Sequence, residues 1–439
     1  MEVFLEKVYD TSVDSFKMIM ERGLGRTFDI LETSDDINIY KDIILYGCLN
    51  NTSYSIVFEG TRAYYVFCLM SYFDDIDFFK SRIFDKYDIN LDNDTFKHLS
   101  DLIVLFYTEN KNKQAKELLE ENYNKFIAKD FYNSDDLIKL DYLCICIKQV
   151  SGLKRVKEII LDIDKMYPLI ISLDDLSWFF HIILDKYKNI VDYIKENCIN
   201  IKLEDINYYF NKDYNENKDN SDEQHTADKL INEIKDDKYF SPYRFVRLSN
   251  NLEKQKIVDY YFKEKDLDVK KKLLFTISNG DFPITFDLLV QEFNKACDEL
   301  KESILDVIVS LNDIRIKDYG YSLLENENYF YNGIEMITKY YDVDDYNTLV
   351  MYIKKMNISY DDNRWHNTFF AISDLFYKRK KNLPNELLYF MYENTLCSEC
   401  REHYVRDMRK HKLLTKQIIE ECKADCNYDI RKYIKNIKV

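Results

Sequence analysis

With 8 glycines and 4 prolines in 439 residues, the chain lacks the material for tight turns. Sheet sandwiches and barrels of this size need many turn residues at φ > 0 or at the fixed φ of proline, whereas helices joined by short polar connections need few. The scarcity predicts an all-α chain. A hydrophobic content of 46% is ample for a large core.

The apolar pattern supports helices. Leu102 to Tyr107 and Leu140 to Ile147 are runs that a buried strand could also show. Their flanks favour helix, because Ser134-Asp135-Asp136 supplies a capping residue and first-turn acids, and no glycine or proline cuts either run short. Similar starts recur at Ser34-Asp35-Asp36 and at Ser172-Leu173-Asp174-Asp175. A repeat is clearest in the second half. Leu273, Leu305 and Ile337 share one spacing of 32, as do Ile277, Val309 and Tyr341, and Asp281, Asp313 and Asp345. Each unit reads as a helix, a turn marked by the aspartate, and a second helix such as Phe286 to Phe293 or Tyr346 to Met356. Neither helix can bury its apolar stripe alone, so stacked pairs forming an α-solenoid of on the order of 20 helices are the expected solution. The segment 211–228 has no periodic apolar residues and a net charge of −4. It is expected to be a disordered loop between an N-terminal half, 1–210, and a C-terminal half, 229–439.

The two-helix units resemble HEAT-like repeats, and Asp429-Ile430-Arg431 resembles the Asp-x-Arg step of that class. Two blocks, Tyr46 to Tyr65 and the CSECREHYV beginning at Cys397, are similar to segments of uncharacterised bacterial HEAT-like repeat proteins that carry Cys-Glu-Gly-Ser-Arg-Gly and Pro-Cys-Ser-x-Cys-Arg. Glu59, Gly60, Arg62, Cys397, Ser398, Cys400 and Arg401 match. Phe58, Ala63 and Leu396 replace the first block's cysteine, its second glycine and the second block's proline. The resemblance covers about a tenth of the chain. It implies an α-solenoid and brings no established activity.

Charge and cysteines bound the partners. The formal charge of −16 opposes nonspecific binding to nucleic acid or anionic lipid. From Lys378 to Val439, however, 15 Lys and Arg face 9 Asp and Glu, net +6, which leaves −22 on the first 377 residues. The run at 378–381 reads as a solvated helix end. No apolar stretch approaches the roughly 18 residues of a membrane span. The first residues lack the pattern of a secretory signal. Ten irregularly spaced cysteines read as reduced thiols of a cytoplasmic protein.

Four sets of residues invite a functional reading. Glu59 and Arg62 form either a ligand-binding patch or a shielded ion pair bracing two helices. Cys397 and Cys400 start a helix, with Thr395 as the expected N-cap and Leu396 at N1. They are structural thiols, a redox pair activated by the helix terminus and Arg401, or half of a metal site. His403 lies about 9 Å from Cys397 along a helix axis, so zinc would need Cys422 or Cys426 instead. Trp178 reads as core. Trp365 also reads first as core; the alternative, suggested by its polar run between Arg364 and His366, is an exposed ring, in which case Arg364 and Trp365, and likewise Arg401, are candidate contacts for a protein partner.

Signals for catalysis are lacking. No phosphate-cradling glycine loop, G-x-S-x-G or H-E-x-x-H occurs, and there are six histidines. The acid clusters at Asp74-Asp75-Ile76-Asp77 and Asp342-Val343-Asp344-Asp345 lack the glycine and distal glutamate of a calcium loop. The expected protein is a noncatalytic scaffold without cofactor that holds a protein or peptide on its curved surface. Two alternatives remain open. One is a nucleic-acid-directed protein similar to HEAT-like DNA glycosylases, which would need a basic concave face and a pocket with an aromatic and a carboxylate. The other is a cysteine-based redox or metal sensor.

Overall fold

The computed structural model describes residues 10–129, 132–167, 174–187, 189–202, 226–236, 241–359, 363–378 and 385–437. Among these residues there are 25 α-helices and no β-strand, so the chain is all-α. No described helix is long and apolar enough to cross a membrane.

The chain divides into two compact units. The first combines the chain up to residue 220 with Leu396–Val405 and Leu414–Val439, and the second is Ser221–Thr395 with Arg406–Leu413. The grouping differs from the expected halves in that Leu396–Val405 and Leu414–Val439 fall with the first residues. Of the expected loop 211–228, residues up to 225 lie outside the described set. Thr226 is the N-cap of the helix Ala227–Lys235, with its hydroxyl accepting from the Lys229 amide, so the last three residues of that loop open a helix.

In the second unit, every second helix joins one packed series. Leu267–Ser278, Asp298–Ser310, Phe330–Lys339 and Arg364–Tyr377 pack each against the next. Phe286–Lys295 lies against Asp298–Ser310, and Arg315–Leu323 lies against Phe330–Lys339. The 32-residue frame fits this series, since Leu273, Leu305 and Ile337 are each fully buried, one in each of its first three helices. The marker aspartates do turn chemistry, with Asp313 accepting from the Arg315 amide at 3.0 Å and Asp345 closing a capping box with Asp342.

The first unit contains a packed series of its own. Lys41–Leu49 packs on Ala63–Met70, which packs on Asn93–Thr108, which packs on Ser134–Met166, which packs on Ser177–Lys186. Both ambiguous apolar runs fall inside these helices. The cap of Ser134–Met166 is Asn133, one residue before the expected serine, in a reciprocal box with Asp136. Ser34 ends the helix Arg26–Thr33 instead of starting one, and Asp36 caps the short turn Ile37–Tyr40. Ser172 lies outside the described residues. A simple stack in which each pair touches only its neighbours in sequence does not describe this unit, because residues near 23 and 60 meet residues 396–426.

A buried histidine gives the first unit a pH dependence. His98 is fully buried on Asn93–Thr108, where its Nε2–H donates to the Gly47 carbonyl at 3.0 Å. Burial pushes the imidazole down to about 4, against a smaller upward pull from the backbone of Gly47 and Cys48. An unfolded histidine takes its proton near 6.5. Between those values the unfolded chain binds a proton that the folded chain refuses. Stability is therefore complete above pH 6.5 and falls by about 3 kcal/mol as the pH drops to 4. Urea unfolding at pH 7 and pH 4 should show a smaller acid loss in His98→Gln than in the wild type.

Candidate functional site

The two sequence blocks meet in the first unit, and the way they meet begins with a helix end. Val13–Arg22 stops at Gly23, whose φ of 71° lets the amides of Gly23 and Leu24 turn back to Met20 and Ile19. This turn points the Gly23 carbonyl at the C-terminal segment. There it accepts from the Cys426 amide at 2.9 Å and from Arg401 Nη2 at 3.4 Å. A Cβ at Gly23 would strike the Cys426 sulfur, and one at Gly25 would strike the Glu421 carbonyl. Only glycine fits this approach of backbone to backbone.

Around that seam lie three ion pairs, and their charges are almost wholly inside. Arg401 is 0% exposed and holds Asp425 in a fork, with Nε at 2.8 Å and Nη2 at 3.0 Å. Arg26 Nε reaches Glu421 at 3.1 Å. Arg62 Nη2 reaches Glu59 at 3.3 Å.

The Glu59 and Arg62 pair also grips backbone. Arg62 donates to the Leu396 carbonyl at 2.8 Å and to the Glu21 carbonyl. Glu59 accepts from the Ser55 amide and, at 3.0 Å, from the Ser398 amide. Burial raises the Glu59 carboxyl, yet Arg62 and Ser398 outweigh it and hold the group below its ordinary range. Gly60, at φ 69°, ends the four-residue turn Ile56–Glu59 that sets the carboxylate in place. Glu59, Arg62 and Arg401 are thus internal braces linking residues 334 to 378 apart in sequence. Of the two readings of Glu59 and Arg62, the geometry is that of the shielded ion pair, and Arg401 is likewise buried and engaged.

The cysteines complete the picture. The helix Ser398–Lys410 starts two residues later than expected, and Cys397 takes the role foreseen for Thr395, its sulfur accepting from the Cys400 amide at 3.5 Å. The Cys400 thiol is raised well above its ordinary value, first by its hydrogen bond with Cys397 and then by burial. Cys426 is also raised by burial, with Arg62 only partly offsetting it. Arg401, offered in the redox alternative as the activating charge, is spent on Asp425. Among the described residues, neither Cys422 nor Cys426 joins Cys397 and Cys400 in a group whose donor atoms come within 4.8 Å of one another. In an alkylation time course on the folded chain, exposed Cys297 should react first and Cys400 at least ~10-fold more slowly.

The two tryptophans, both read first as core, part company. Trp365 is 0% exposed, and its Nε1–H donates to the Ser359 carbonyl at 2.9 Å. Trp365, Phe369, Ile372 and Phe376 form one buried stripe of Arg364–Tyr377, while residues 364 and 366 project about 100° to either side. Arg364 lies over the Tyr331 ring at 4.7 Å and donates to the Asn328 carbonyl, so it braces the second unit. Trp178, expected in the core, is 53% exposed, with the Lys97 ammonium 5.8 Å from its ring.

Sequence reasoning missed the surface cluster of the first unit. Arg431 lies between two aromatic rings, 5.6 Å from Tyr64 and 5.7 Å from Tyr428. Its Nη1 donates to the carbonyls of Asp425 and Cys426, which fixes the guanidinium between the rings. Tyr64 and Tyr428 are 55% and 64% exposed, and Phe58, beside Glu59, is 78% exposed. The alternation of exposed aromatics with the buried Glu59 and Arg62 was the available signal.

No family model, curated protein or solved structure matches the chain.

Proposed function

We propose that the chain is a noncatalytic scaffold of HEAT-like helical pairs, an α-solenoid protein that holds a protein or peptide partner. The observation that carries this reading is the Tyr64, Arg431 and Tyr428 cluster, with Phe58 close in sequence. Tyrosine and arginine on a rigid backbone are the residue types that dominate binding energy at protein interfaces. The packed helix series of both units fit the repeat reading, and ten free thiols fit a reducing, cytoplasmic compartment. The nucleic-acid alternative is opposed by the charge of −16.

The test is site-specific photo-crosslinking in cells at Phe58, with exposed Tyr377 of the second unit as the control position. Crosslinks to one polypeptide at Phe58, lost when Arg431→Ala is added, are expected. Crosslinks to nucleic acid at Phe58, or equal yields at both positions, would count against the reading.

A further inference from the structure

In a chain of net charge −16 an arginine has carboxylates to choose from, and Arg155, Arg315 and Arg401 each spend their charge on one or more of them. Arg244 and Arg247, on the helix Pro242–Leu248, do not. Among the described residues neither guanidinium has an ion pair, a hydrogen bond or a ring contact. The stretch 242–250 contains two arginines and no acid.

The two arginines share their face with apolar side chains. Successive helical residues turn by about 100°, so Tyr243, Arg247, Arg244 and Leu248 cover an arc of about 140° opposite the buried Pro242 and Phe245. Tyr243 is 64% exposed and Leu248 52%. On the neighbouring helix Leu267–Ser278, the half-exposed Phe275 meets Tyr243 edge to face, with ring centroids 6.4 Å apart and an interplanar angle of 85°. Arg247 stands one turn beyond Tyr243 on the same side. Arg244 lines a cavity of about 130 Å³ with Thr226, Lys229 and Ser241, where Glu233 is the one carboxylate of the lining.

Charge selects the occupant. Two unspent guanidinium groups attract carboxylates, and arginine beside tyrosine is the pairing that concentrates binding energy at protein interfaces. The two rings form a right-angled corner that fits one apolar side chain, and they offer no pair of parallel faces for stacked bases.

We propose that this face docks an acidic segment of a partner protein, with an apolar side chain of the segment in the corner of Tyr243 and Phe275 and its carboxylates on Arg244 and Arg247. The proposal names the chemistry of a partner and so rests on the scaffold reading, but on residues other than the Tyr64 cluster.

Fluorescence anisotropy on the full chain tests it, with fluorescein-labelled Gly-Asp-Glu-Phe-Asp-Glu-Gly as the probe. Binding should be saturable and should weaken as salt is raised from about 50 to about 200 mM. Arg247→Glu should weaken it at least ~10-fold, and Tyr243→Ala, or glycine in place of the peptide's phenylalanine, at least ~5-fold. Both altered side chains are exposed, so folding is not at stake. Lys165→Glu makes the same change of net charge on a first-unit side chain that is 74% exposed, and should leave binding within about 2-fold of wild type. No saturable binding, equal losses in Arg247→Glu and Lys165→Glu, or binding indifferent to both Tyr243→Ala and the missing phenylalanine would overturn the proposal. Tighter binding of an oligothymidylate, lost in the same two variants, would overturn it in favour of single-stranded nucleic acid. Each of these results with the Phe58 crosslinks intact would remove this face alone, whereas the scaffold reading fails on the crosslinks.

Discussion

Replacing Arg401 by alanine should cost the chain roughly 3–5 kcal/mol of unfolding free energy, read as a lower urea midpoint. The mechanism is specific. Arg401 and Asp425 are both 0% exposed, and removing the guanidinium strands a buried carboxylate with two of its hydrogen bonds gone. The pair itself is not a large source of stability, because bringing both charges out of water costs about what their attraction returns. The double substitution Arg401→Met with Asp425→Leu should therefore recover most of the loss. If Arg401→Ala left stability unchanged, the guanidinium would be free for a partner and the brace would be wrong.

The second large effect belongs to Trp365. Trp365→Ala removes the largest fully buried side chain and leaves a cavity, with an expected loss of roughly 3–5 kcal/mol. Trp365→Phe should cost less, since it keeps the apolar ring and loses only the hydrogen bond to Ser359 and part of the volume. Trp178→Ala is the contrast, expected within about 0.5–1 kcal/mol of wild type because that ring is half in solvent. Differential scanning calorimetry of the three variants orders them. The reverse order, with Trp178 the costly one, would mean that the core of the second unit has been misplaced.

These two residues also show how far the sequence could be read. Scarcity of glycine and proline, together with the helical period, was enough for the all-α class. The 32-residue frame placed the turns at Asp281, Asp313 and Asp345 because a repeated local signal is visible in linear order. The exposed alternative for Trp365 arose because its nearest neighbours are polar. On a helix the informative neighbours are three and four residues away, and Phe369, Ile372 and Phe376 mark the buried stripe.

The brace was hidden for a different reason. Glu59, Arg62 and Arg401 could be singled out, but Leu396 lies 334 positions from Arg62, and Glu421 lies 395 from Arg26. No local rule connects them. The glycines were the closest thing to a signal. Gly23 and Gly25 stand two apart in a chain with only 8 glycines, where backbone contact from elsewhere leaves no room for a side chain.

The most direct measurement is hydrogen exchange on the full chain, comparing wild type with Arg62→Ala. The structure ties the Ser398 amide to Glu59 and the Cys426 amide to Gly23, with Arg62 beside both. Peptides covering residues 20–27, 396–405 and 420–431 should lose protection together, while those covering 267–310 keep theirs. Faster exchange confined to residues near 62, with 396–405 and 420–431 unchanged, would contradict the claim that the two blocks form one internal brace.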